Sequence, residues 1–238
     1  MRIDKILANI GYGSRKEVKK ILKNRVVIVN GQTVTDAKTH VDPKKDEITV
    51  YGEKIEYKEH IYLMMNKPAG VISATEDVHN KTVIDLLDVG EAVYHPFPVG
   101  RLDKDTVGLL LLTNDGGLAH QLLSPKKYVL KTYYAFVDGT VTEDDQKAFA
   151  SGIKLDDGYV TKPAQLNILR SGDIRSEIEL TITEGKFHQV KRMFEAVGKK
   201  VVYLKRLSMG PIKLDEDLAE GKYRELTDEE VDLLKYRQ

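Results

Sequence analysis

One residue whose type and place could do chemistry is an aspartate at the entrance to an apolar run, where taken alone it reads equally as a turn or cap residue. Asp103 lies in VGRLDKDTVGLLLLTNDG (residues 99–116), after Gly100 and shortly before GLLLLTND (108–115). A continuous apolar stretch bounded by Gly and Asn-Asp suits a central strand. Asp103 therefore sits where a loop enters a sheet, a common address for catalytic groups. A carboxylate there can add to a substrate as a nucleophile or take a proton as a base. The other conspicuous chemistry is cationic. Residues 1–30 hold Arg2, Lys5, Arg15, Lys16, Lys19, Lys20, Lys23 and Arg25 against only Asp4 and Glu17. The stretch from Asp215 onward is acidic, so the formal net charge of zero hides two oppositely charged ends. A local basic face is what attracts phosphates, because each charge reaches only a Debye length, roughly 8 Å.

Several classes of function find no support in the composition. The 238 residues contain no cysteine, which excludes disulfides and thiolate metal sites. The histidines are scattered with no HExxH or HxH pair, so no metal site is expected. There is no P-loop and no Rossmann fingerprint. No apolar run approaches the ~18 residues of a membrane span, and the first residues, MRIDKILANIGYGSRKE, are too interrupted by charge for a signal peptide. The expectation is a cytoplasmic protein that needs neither cofactor nor membrane.

The elements that must position these groups can be read from periodicity. Ile3, Ile6, Leu7 and Ile10 have helical spacing over residues 2–10, and Gly11 and Gly13 end that helix. Ser14 with Glu17 forms a capping box for a second helix over about 15–24. Its Val18, Ile21 and Leu22 face inward, leaving its basic residues outside. VVIV (26–29) reads as a strand, Asn30-Gly31 as a tight turn, and a partner strand follows near Val34. Residues 46–50 form another short strand, and the polar stretch 52–60 reads as a linker. Division follows into a domain over 1–58 and a second over 59–238. In the second, strands are expected at 61–66, 108–115, 133–139, 177–185 and 201–210, and helices at 82–88, 117–124 and 187–198. Asp115 caps the 117–124 helix and Pro125 ends it. A last helix starts from a Thr227–Glu230 capping box. Strands and helices mix without a βαβ rhythm, so the fold class is α+β with a mixed, mostly antiparallel sheet flanked by helices.

The pattern MRIDKIL…GYGSRKEVKKILKNRVVIVNG…V…D.I.V resembles an S4 RNA-binding domain. Two short helices showing cations on one face would read RNA through phosphates and 2′-hydroxyls. Arg2, Lys5, Arg15, Lys16, Lys19 and Arg25 are the expected contacts. The segment 99–116 resembles the catalytic motif of the RsuA family of pseudouridine synthases, G-R-L-D-x-x-T-x-G-L-L-L-x-T-x-D-G. Three further segments agree with that family. MNKPAGVISA (65–74) resembles its L-N-K-P-x-G element, which by itself reads only as a strand and turn. KTYYAFVDG (131–139) resembles its K-x-Y element, and EGKFHQVKRMFEAVG (184–198) its E-G-[KR]-x-H-Q-V-[KR]-R-M element. The resemblance runs in order along nearly the whole chain.

What the resemblance implies is an RNA isomerase with Asp103 as its essential carboxylate, Tyr133 as its active-site tyrosine and Lys191 as the cation beside Asp103. Arg192 is the neighbouring alternative, about 100° away around a helix. Arg101 is expected on a phosphate of the flipped nucleotide or in the vacated stack. The implied partner is ribosomal RNA or a ribosomal assembly intermediate, approached by a monomer. KPA (162–164) and HQVKRMF (188–194) look most like members acting on small-subunit rRNA; a large-subunit target stays open. Two readings compete. A non-catalytic ribosome-associated binder would have no use for Asp103, Tyr133 and Lys191 together. A glycosidase would want a second acid across the bond, and none stands out in the motifs.

Overall fold

The computed structural model describes residues 1–235. The chain forms two compact units, one of residues 1–61 and 87–96, the other of 62–86 and 97 onward. The first unit opens with α1 (Ile3–Asn9) and α2 (Arg15–Lys23). The capping box at Ser14 is complete: Glu17 N donates to the Ser14 hydroxyl and Ser14 N to the Glu17 carboxylate. A four-stranded antiparallel sheet follows, of β1 (Val27–Val29), β2 (Gln32–Thr33), β3 (Ile48–Val50) and β4 (Glu53–Lys54), in the order β2-β1-β3-β4. Asn30 and Gly31, both at positive φ (50° and 78°), turn β1 into β2. Such a pair matches the twist of a two-residue hairpin. Ile3, Ile6, Leu7, Val18 and Leu22 pack on Val27, Ile48 and Val50 in one apolar core.

The polar stretch 52–60 reads from sequence as a linker. Part of it is structured instead. Glu53–Lys54 pairs with β3, and Ile55 and Tyr57 pack on the core. Both residues are apolar-bodied islands in a polar run, too sparse to show a period.

The second unit is built on one large sheet. Its strands are β5 (Tyr62–Lys67), β6 (Phe97–Pro98), β7 (Val107–Thr113), β8 (Lys131–Asp138), β9 (Gln165–Arg170), β10 (Arg175–Ile182), β11 (Lys200–Met209), β12 (Ile212–Lys213) and β13 (Tyr223–Glu225). The main path is β13-β5-β7-β11-β8-β10-β9, with β6 on β7 and β12 on β11. Every pairing is antiparallel except β7 with β11, so the expected mixed, mostly antiparallel sheet is present. The helices are α3 (Val89–Ala92, in the first unit), α4 (Gly116–Leu123), α5 (Glu143–Ser151), α6 (Gln189–Ala196) and α7 (Asp228–Lys235). Asp115 accepts from Leu118 N at the start of α4, and Thr227 with Glu230 caps α7.

Two helix expectations are corrected. Residues 82–88 give only a 3-10 turn, Ile84–Leu86. Thr82 and Asp85 bond each other's backbone and close the turn locally, and Asp88, in extended conformation, starts α3 instead. The helix expected from 187 begins at Gln189, because His188 is left-handed with φ 49°.

Candidate active site

The loop carrying Asp103 enters β7, whose seven residues are all buried. The loop closes as a turn, with Thr106 N donating to Asp103 O at 3.1 Å. Beneath it lies Lys67, the last residue of β5 and fully buried. Its ammonium shares three N–H groups among the carbonyls of Pro68 (3.1 Å), Asp103 (3.1 Å), Lys104 (3.4 Å) and Thr106 (2.9 Å). The following residues complete the cradle. Gly70 N donates to Lys104 O, Leu102 N to the Ser73 hydroxyl, and that hydroxyl to Leu102 O. The KPAGVIS segment, which reads from sequence as a plain strand and turn, thus clamps the backbone on which Asp103 stands. Burial pushes the Lys67 ammonium down to about 8, against the pull of Asp105, Asp103 and Glu220.

A cavity opens above this loop, with Arg101, Asp103, Tyr133, His188 and Lys191 in its wall beside apolar Ile182 and Leu204. Tyr133 points inward because alternate residues of β8, Lys131, Tyr133, Ala135 and Val137, are buried on one face. Tyr134 faces the other way and donates to Glu177 at 2.9 Å. Lys191, on the first turn of α6, stands 3.3 Å from Asp103 Oδ2. It lies nearer still to Asp105, at 2.6 and 2.9 Å from its two oxygens. Burial works against the Lys191 charge, but the Asp105 hydrogen bond and the charges of Asp103 and Asp105 outweigh it and raise its pKa. The same hydrogen bond holds Asp105 below the ordinary carboxylate range. Arg192 turns away to Asp156 and Asp157, with Nε 2.8 Å from Asp156 and a terminal nitrogen 2.7 Å from Asp157. Of the two adjacent cations, Lys191 is the one facing Asp103. Arg101 is exposed at the rim.

His188 Nε2 lies 3.5 Å from Asp103 Oδ1, and the exposed Phe187 ring stacks on its imidazole at 3.8 Å. The left-handed backbone there is held by Gln189, which accepts from Lys186 N at 2.8 Å and donates to buried Glu184 at 2.9 Å. Glu184 also accepts from Tyr159 and from Lys162 N. The motif resemblance puts the essential carboxylate on Asp103 and not on Asp105, and it assigns no role to Lys67, His188, Glu184 or Gln189. A lysine directly after an apolar strand was the available signal for Lys67.

These elements, in this order and with these residues, match known proteins. The pattern of the RNA pseudouridylate synthase family covers residues 61–196, and that of the S4 domain residues 1–48. The chain belongs to the RNA pseudouridylate synthase family. Among its relatives, an uncharacterized RNA pseudouridine synthase of Bacillus subtilis, YtzG, is 57% identical over 98% of both chains. The ribosomal small subunit pseudouridine synthase A of Escherichia coli is 39% identical over 97% of this chain and 98% of its own length. A crystal structure of a pseudouridylate synthase is 38% identical and superposes with a TM-score of 0.68, covering 98% of this chain and 99% of that one. As a synthase of the RsuA type, the protein acts on RNA.

In the S4 domain, Lys5, Arg15, Lys16, Lys19 and Arg25 are exposed. Arg2 is only half exposed. Its guanidinium grips buried Asp4 through two bonds of 3.0 and 2.6 Å, so it braces α1 whatever else it touches.

Proposed function

We propose that this synthase converts a uridine of small-subunit ribosomal RNA to pseudouridine in the cytoplasm, with Asp103 as its essential carboxylate and no cofactor. The observation that carries the reading is the convergence of Asp103, Tyr133 and Lys191 on one cavity. The small-subunit target draws on the relatives named for that subunit.

The reaction breaks the N1–C1′ bond, turns the uracil, and joins C5 to C1′. The C5 proton leaves and N1 ends protonated, so nothing is oxidised or hydrolysed and no external group is consumed. Asp103 serves either by adding to the sugar or base, or by removing a sugar proton to give a glycal. An ionised carboxylate in a partly closed site is disfavoured by desolvation, and Lys191 offsets that cost and holds its orientation. The uridine must first leave its stack, which costs a few kcal/mol. Stacking on Tyr133 returns about 1–3 kcal/mol. The exposed cations of α1 and α2 supply the docking surface on RNA.

Asp103→Asn is isosteric but is neither nucleophile nor base. It should abolish isomerisation in single-turnover assays while RNA binding persists, and a near wild-type rate would overturn the assignment. Pseudouridine mapping of rRNA from cells with and without the protein identifies the target. A site lost from large-subunit rRNA would overturn the small-subunit reading.

A further inference from the structure

A second cavity, of about 280 Å³, lies beside the first and shares Arg101, Tyr133 and Lys186 with it. Two buried cations line it. Arg206, on β11, is 2% exposed and sits directly across from Tyr133 in the β8–β11 ladder. Its place is fixed by a close crossing: a Cβ on Gly108 would collide with Arg206 O, so only glycine fits there. Lys131, two residues before Tyr133, is 8% exposed on the same face of β8.

Each cation uses one donor on the protein backbone. Arg206 Nε donates to Leu109 O at 2.7 Å and Lys131 Nζ to Val129 O at 3.0 Å. One terminal nitrogen of Arg206 is buried without a partner. Among the described residues neither cation forms an ion pair. Glu184, the one carboxylate in the wall, spends its oxygens on Tyr159, Lys162 N and Gln189. Lys162 and Lys186 stand at the same cavity, each over a tyrosine ring. Buried like charges with free donors are costly unless an anion meets them. Burial, with the Arg206 charge added, pushes Lys131 down to about 8 against the pull of Glu184.

We infer that this second cavity is a subsite for the phosphodiester group of a nucleotide flanking the isomerised uridine, with Lys131 and Arg206 as its floor. The inference rests on the reading that the uridine occupies the cavity at Asp103. Tyr133, common to both walls, would then separate the base being isomerised from the phosphate that holds its neighbour.

The test uses the full chain and a short RNA containing the mapped uridine. One version has native linkages; the others carry a single neutral methylphosphonate at either linkage beside that uridine. Wild-type protein should lose about tenfold in affinity for one of the modified RNAs. Lys131→Met should lose about tenfold on the native RNA and nothing further on that modified one, with a salt slope lower by ~0.7. Lys131→Arg, which restores the charge, should bind native RNA more tightly than Lys131→Met and recover its salt slope. Independent, additive losses would overturn the inference, as would unchanged affinity and slope in a folded Lys131→Met. Inorganic phosphate that competes at the cavity while neither methylphosphonate matters would also overturn it, since the site would then take free phosphate. Pseudouridine formation by the wild type is scored in parallel. If it fails, the proposed function falls; if it proceeds while the cycle is additive, only the subsite falls.

Discussion

On α2 the lysines and Arg15 stand in solvent, whereas in the catalytic unit Lys67, Lys131 and Arg206 have almost none. The same charge does different work in the two places. An exposed cation is screened, keeps its hydration, and contributes to RNA binding mainly by releasing counterions, so neighbouring lysines are interchangeable. A buried cation has given up its water and must be met by specific acceptors at specific distances. The four carbonyls around Lys67 show what that demands. The basic face is thus tolerant and the buried set is not.

After Asp103 itself, the largest effect is expected at Tyr133, which lines both cavities. Tyr133→Phe keeps the ring and loses the hydroxyl. If the hydroxyl assists proton removal from C5, the single-turnover rate should fall roughly 10²–10⁴-fold with affinity unchanged. Tyr133→Leu should in addition weaken RNA binding by about 1–3 kcal/mol. A fully active Phe variant with a weakened Leu variant would make stacking its main work.

Lys67→Met comes next. It leaves carbonyls of the Asp103 loop without a donor, so thermal or urea unfolding should show a loss of about 2–4 kcal/mol. The turnover rate should fall with RNA affinity near wild type. A variant that is stable and active would dissolve the contrast altogether.

The third prediction is a pH dependence. Folded, Lys67 releases its proton near pH 8; unfolded, near 10.5. Between those values the unfolded chain binds more protons, so the stability linked to this lysine rises with pH. Measured against Lys67→Met, wild type should gain up to ~3 kcal/mol between pH 8 and 10.5. A flat difference would place the Lys67 pKa near its ordinary value.

The smallest effects belong to the exposed face. Lys16→Ala or Lys19→Ala should each lower RNA affinity by less than about tenfold and the salt slope by ~0.7, with no change in stability or in the single-turnover rate at saturation. A single one of them abolishing binding would mean that the face reads its RNA as specifically as a buried site does.

The elements of this fold were largely legible because their signals are local. Ser14 and Glu17, Asn30-Gly31 and Asp115 each carry their own instruction within a few residues. Residues 82–88 misled because Thr82 and Asp85 satisfy each other within one turn, which no helical period reveals. At the site, Asp103, Tyr133 and Lys191 could be named from motif resemblance, and alternation along β8 agrees for Tyr133. Lys67 could not, since its meaning depends on carbonyls 36 to 39 residues away. His188 could not either, because its place beside Asp103 depends on a left-handed backbone that no local motif announces. Nor could Asp105, whose share of Lys191 depends on how a helix 86 residues downstream docks.

The place of β11 in the sheet has a consequence for how the protein is made. It lies between β7, which follows the Asp103 loop, and β8, which holds Tyr133, and it is synthesised after both. While the chain is emerging from the ribosome, these two halves have no strand in common and cannot join into one sheet. The sheet closes only when residues 200–209 arrive, and its far edge only when β13 reaches β5. A chain cut just before Lys200 would possess Asp103, Tyr133 and Lys191 and still lack the strand that joins β7 to β8.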